Sequence, residues 1–171
     1  MFDIRNVAVR SEETADQSAV YSLNESAFGR PDEARLVDDL RHEGAVLLSL
    51  VAERETEIVG HILFTRMWID YTDGSIAAVA LAPMAVLPGF QRSGIGGKLV
   101  TNGLAMLRER GEQVVIVLGH PDYYPRFGFS VEKARSLQSP FPPEAFMAVE
   151  LSAGALAGIS GRVRYPSAFG L

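Results

Sequence analysis

The sequence predicts a mixed α/β fold: one twisted sheet of about six or seven strands carrying about four helices. Two patterns carry that expectation. Three apolar segments, residues 45–54, 57–70 and 75–87, follow one another across the short turns Glu55-Thr56-Glu57 and Tyr71-Thr72-Asp73-Gly74, as in an antiparallel meander. The last of them leads through a Gly-rich turn into a helix over 94–110 and then a short apolar strand at 113–118. Such a strand–helix–strand unit sets its two strands parallel in the same sheet. The length, 171 residues, suits one domain over residues 1–171 with a real core.

The elements follow in order. Residues 3–10 partly alternate and predict a strand. Thr14 stands three before Gln17, a capping-box spacing, and Ala15, Ala19, Val20, Leu23 and Ala27 recur at helical intervals until Gly29. Pro31 opens a second helix, with Asp32 and Glu33 in the first turn, where negative charge suits the dipole. Leu36, Val37 and Leu40 give it an apolar face, and Gly44 ends it. After the meander, Ile95, Leu99, Val100, Leu104 and Leu107 form the buried stripe of the helix over 94–110. Gly119-His120-Pro121 breaks the chain, a short helix is expected around 121–126, and Phe146 to Leu151 reads as the last clear strand. Residues 152–171, rich in Gly and Ala, give no clear pattern.

Composition narrows the function. A net charge of −5 is a poor basis for holding nucleic acid or an anionic membrane, and it mildly favours cationic or amine-bearing partners. No cysteine is present, which excludes disulfides, thiolate metal sites and cysteine nucleophiles. No apolar run reaches the roughly 18 residues of a membrane span, and the chain opens on an alternating segment rather than a leader, so a cytoplasmic protein is expected. His42, His61 and His120 are too scattered for a metal-ligand spacing. Ser93 has no neighbouring His–acid pair, which leaves a hydrolase without support.

The chemistry concentrates between Val86 and Lys98. An apolar strand runs into Pro88-Gly89-Phe90-Gln91-Arg92-Ser93-Gly94-Ile95-Gly96-Gly97 and then a helix. Backbone N–H groups at a helix start have no intrahelical partner, and the dipole adds partial positive charge. Gly94, Gly96 and Gly97 let an anion approach the backbone, so the segment describes a phosphate cradle. It is not a P-loop: Arg92 stands where the first Gly is required and Leu99 follows Lys98. The dinucleotide fingerprint fails as well, since Leu99 occupies its third Gly position.

Gln91, Gly94 and Gly96 meet the pattern Gln/Arg-x-x-Gly-x-Gly/Ala, and Tyr123-Tyr124-Pro125-Arg126-Phe127-Gly128-Phe129 adds an aromatic-Tyr-x-x-x-Gly-Phe segment. On these residues the sequence resembles the GNAT N-acetyltransferase superfamily, and within it the YhbS-like branch of predicted bacterial acetyltransferases. The resemblance runs from the first strand to Leu151. It implies acetyl-CoA as cofactor and direct transfer of the acetyl group to a primary amine in a ternary complex. It further implies that the loop Gln91, Arg92, Ser93, Gly94, Ile95, Gly96, Gly97 and Lys98 wraps the coenzyme A pyrophosphate, with Arg92 and Lys98 each reading equally as a phosphate contact or as a solvated surface cation. Met84, Ala85 and Val86 would supply main-chain contacts to the pantetheine arm, after a bulge at Pro83 that splays the strand from its parallel neighbour. Tyr124 is matched to the family's proton donor to the leaving thiolate, with Tyr123 as the competing candidate. Glu25, Asp32 and Glu33 fall in the region that borders the family's acceptor site, but each also reads as an ordinary solvated carboxylate. The acceptor itself is not written in the sequence, and a homodimer is common in the family with nothing here to specify it. A non-catalytic acyl-CoA sensor with the same loop is the alternative.

Overall fold

A computed structural model describes residues 2–171. The first element is a 3-10 turn at Ile4–Asn6, not the predicted strand, because the Asp3 carboxylate accepts from the Arg5 amide at 2.9 Å and caps it. Strand β1 follows at Val7–Ser11. Helix α1 spans Gln17–Phe28 behind a 3-10 turn at Thr14–Asp16. The expected box between Thr14 and Gln17 forms one residue earlier: Asp16 accepts from the Glu13 amide at 2.8 Å. Helix α2 spans Asp32–Glu43 after Pro31 and ends at Gly44.

The meander comprises β2 (Val46–Arg54), β3 (Glu57–Tyr71) and β4 (Gly74–Val86). Helix α3 spans Ile95–Glu109 and β5 spans Val114–Leu118. The expected short helix is a 3-10 turn at Tyr124–Phe127. One turn of helix, α4 (Val131–Ala134), and a two-residue strand, β6 (Leu137–Gln138), come next. Strand β7 is Phe146–Glu150. Residues 152–171, without a sequence pattern, hold β8 (Gly161–Arg164) and a 3-10 turn at Ser167–Phe169.

One eight-stranded sheet runs β1-β2-β3-β4-β5-β7. Two short strands that the sequence pattern did not show join this path at its side: β8 pairs with β3, and β6 pairs with β8. They are possible because β3 outlasts β2. Strand β2 covers β3 only as far as Thr65, and β8 takes over the same edge from Trp68 to Tyr71. The meander pairs are antiparallel, while β4 and β5 are parallel, as the strand–helix–strand unit requires.

The sheet is covered on both faces. On one, α3 lays Ile95, Leu99 and Leu107 on Ile62, Phe64, Val79 and Val115, all buried. On the other, α1 and α2 cover Val51 and Leu63 with Val20, Val37 and Leu40. Further along that second face, segments from the C-terminal third cover Met67, Ile69 and Ile116. Each such side chain contributes about 1.5–3 kcal/mol by leaving water. Among the described residues, no helix is long and apolar enough to cross a membrane.

Candidate active site

The site begins where β4 leaves β5. The two strands pair only over Val79–Leu81 and Val115–Val117. Beyond Leu81, β4 carries a bulge: Ile62 faces Met84 but Phe64 faces Leu81, so Ala82 and Pro83 together oppose the single residue Leu63. Pro83, which has no N–H to give a ladder, sits in this irregularity. Past it, β4 stays with β3 while β5 turns away through Gly119, and a gap opens between two formerly parallel strands.

On the α3 side the gap continues into a groove of about 480 Å³. Met84 and Val86 form one wall, the turn from Phe90 to Gly97 the floor, and Tyr123, Arg126 and Phe127 the other wall. The floor is mostly main chain. Gly94 takes φ 93°, which only glycine adopts cheaply, and no side chain caps the helix start. The first amide of α3 with a protein acceptor is Lys98, bonded to the Gly94 carbonyl at 3.0 Å. Among the described residues, the amides of Ile95, Gly96 and Gly97 therefore stand unpaired at the positive end of a 15-residue helix. Gly96 is also required for space, since a β-carbon there would fall 2.7 Å from the Tyr123 hydroxyl.

The loop is held from below by its own polar side chains. Gln91 donates from Nε2 to the Val86 carbonyl at 3.1 Å, and the Ser93 hydroxyl donates to the Phe90 carbonyl. Arg92, exposed and at φ 59°, lines the groove.

The residues predicted for the site thus divide. Met84, Val86, Gln91, Arg92, Gly94, Ile95, Gly96 and Gly97 line the groove. Ala85 points to the other face and is buried, and Ser93 ties the turn. The ammonium of Lys98 is turned away, donating to the carbonyl of Val7 on β1. Phe90, from the turn itself, also lines the groove, and Tyr123, Arg126 and Phe127 are groove residues that lie outside the phosphate-cradle segment. The Arg126 guanidinium lies 4.4 Å from the centre of the Tyr123 ring. The signal for these last three was the aromatic segment itself, whose facing direction is set only by the 3-10 turn.

The two tyrosines behave differently. Tyr123 is half-buried with its hydroxyl over Gly96, and desolvation raises its pKa. Tyr124 is 8% exposed, and its ring packs directly over Gly119, where no β-carbon would fit. The rings meet edge to face at 5.0 Å. Burial, with a lesser contribution from Tyr123, pushes the Tyr124 phenol up to about 12.

None of Glu25, Asp32 and Glu33 lines the groove; Glu33 is paired with Arg30 at 2.5 Å. Of the histidines, His61 is fully buried on the face of α1, between Ser49 Oγ at 2.9 Å and Asn24 Nδ2 at 3.2 Å. Desolvation, aided by the nearby Arg41 charge, lowers its pKa to about 3.

A splayed β4/β5 pair leading into a bare helix start is the arrangement of the GNAT fold. Residues 8–131 match the family described as acetyltransferase (GNAT) domain, and the chain belongs to that family. It is 41% identical over 135 residues to the uncharacterized N-acetyltransferase YjhQ of Escherichia coli K12, covering 76% of this chain and 75% of YjhQ. It is 34% identical over 164 residues to the uncharacterized N-acetyltransferase YhbS of the same organism, covering 94% and 97%. The crystal structure of Escherichia coli YhbS in complex with CoA superposes with a TM-score of 0.89 at 32% identity, over 97% of this chain and 93% of that one. A GNAT acetyltransferase from Brucella melitensis in complex with acetyl-CoA gives 0.80 at 33% identity, over 95% and 97%.

Proposed function

We propose that this chain transfers the acetyl group of acetyl-CoA to a primary amine by direct attack in a ternary complex. The observation that carries the reading is the continuity of the groove: a strand freed from its parallel partner leads directly to three unpaired amides at a helix start. The amides of Ile95, Gly96 and Gly97 suit the pyrophosphate, and the exposed Arg92 adds a cation at its edge. Met84 and Val86 suit the pantetheine arm, which would pair with main-chain groups that β5 no longer occupies. Lys98 is left out of the cradle, because its ammonium is turned away to donate to the Val7 carbonyl.

The amine lone pair attacks the thioester carbonyl carbon, the C–S bond breaks, and sulfur leaves with the bonding electrons. Tyr124 is the donor to that sulfur. With a pKa of about 12 the phenol is fully protonated at neutral pH. A thiolate whose thiol titrates near 8.5 cannot strip such a phenol outright. Tyr124 therefore stabilises the developing charge by a hydrogen bond and keeps its proton, while the proton that the nitrogen sheds as the amide forms passes through water to the leaving sulfur.

Calorimetric titration with acetyl-CoA, alongside a Gly94→Glu, Gly96→Glu double variant, tests the cofactor site. Micromolar binding abolished in the variant supports it, and no binding by the wild-type protein overturns it. Release of free thiol that depends on an added amine separates an enzyme from a sensor.

A further inference from the structure

The gap between β4 and β5 opens on two faces, and the second face carries a pocket of its own. Its volume is about 250 Å³. Ala82 at the bulge and Leu118 at the end of β5 form its inner edge, while Phe141, Tyr165 and Phe169 wall it from the C-terminal third. That it lies opposite α3 follows from Ala80 and Ile116, which line it and belong to the core on the far side of the sheet. Ala82 is two residues from Met84, which lines the cofactor groove. The two concavities meet at the same break in the sheet.

The chemistry of the lining is one-sided. Among the described residues, no Asp or Glu lines this pocket. Leu118, 43% exposed, is among the few large apolar side chains left open to solvent. Phe141 and Tyr165 pack edge to face at 5.7 Å, and Tyr165 and Phe169 lie 5.1 Å apart. A cavity of about 150 Å³ holds a benzene ring, so this one takes a phenyl group with its ethyl linker.

We propose that this pocket holds the apolar part of the acceptor, and that the acceptor is a monoamine carried on an aromatic or branched alkyl group rather than a polyamine or a lysine side chain. The inference rests on the N-acetyltransferase reading above. A second ammonium in this pocket would be desolvated among side chains that, in the described residues, include no Asp or Glu, which is costly. The reacting ammonium meets the same environment, and desolvation lowers its pKa and favours the neutral form that attacks. The nitrogen gives up one proton to solvent before attack and a second as the amide forms, so the step needs no carboxylate base.

The test compares phenethylamine and isoamylamine with spermidine and an N-terminally blocked lysine peptide. kcat/KM is measured at saturating acetyl-CoA, for wild type and for Leu118→Asp. The monoamines are expected to lead by about tenfold or more, from the burial of one apolar group. Leu118→Asp should erase that lead while leaving the acetyl-CoA Kd unchanged. Spermidine or the lysine peptide equalling the monoamines, or a lead that survives Leu118→Asp, overturns the inference. Binding of acetyl-CoA with no acetylation of either class also overturns it, and leaves the cofactor site standing. Absence of acetyl-CoA binding sinks the proposed function first.

Discussion

The two faces of the β4/β5 gap are built from opposite materials. On the α3 side the groove is floored by main chain: unpaired amides, glycines, and a turn braced by Gln91 and Ser93. On the far side the pocket is walled by Phe141, Tyr165 and Phe169, large side chains from the loop after β6 and from the segment that follows β8. Main chain recognises a phosphate whatever the neighbouring residues are, whereas side chains recognise only the shape they happen to make. The first face suits a ligand common to many relatives; the second suits one particular to this chain.

Breaking the backbone face has the largest expected effect. Gly94→Glu with Gly96→Glu places two carboxylates against the amide floor and a side chain into the Tyr123 hydroxyl, and acetyl-CoA affinity should fall roughly 100-fold or more by calorimetry. At the buried tyrosine, Tyr124→Phe should lower kcat by roughly 10²-fold while the acetyl-CoA Kd stays within about twofold. An equal loss in both would make Tyr124 a packing residue only. Tyr123→Phe removes a hydroxyl that borders the groove over Gly96; a roughly three- to tenfold weaker acetyl-CoA Kd with kcat unchanged is expected. If Tyr123→Phe instead abolishes turnover, the roles of the two tyrosines are exchanged.

The remaining effect is on stability rather than on activity and belongs to the far face, beneath α1. His61 resists protonation in the folded protein until about pH 3, but titrates near 6.5 when unfolded. Its contribution is therefore intact above about pH 6.5 and is lost as pH falls toward 3, at up to about 1.4 kcal/mol per pH unit. Urea unfolding of wild type and His61→Gln between pH 7 and pH 4 checks this, with the variant expected to show the flatter dependence.

Long elements with a clear period were legible in the sequence to within a residue or two: the meander, α2 and α3 lie where the apolar pattern put them. The misread ones are short. The first strand lost its opening to a turn because Asp3 caps Arg5, a local hydrogen bond that outweighs an alternating pattern. Strand β8 was invisible because four residues carry no period, and it exists only because β3 projects beyond β2 and offers an unpaired edge.

The candidate site divides the same way. The sequence by itself determined the bare helix start, because a strand, a Gly-rich turn and a helix N-terminus are contiguous and the first amides of the helix have no partner within it whatever packs around them. Only the tertiary structure decided that Lys98 reaches back to Val7, that Tyr123 rather than Tyr124 overhangs Gly96, and that residues as distant as Ala82, Leu118, Phe141 and Phe169 close one pocket. Those are encounters between segments far apart along the chain, and no local periodicity encodes which side chains meet when a sheet is covered on both faces.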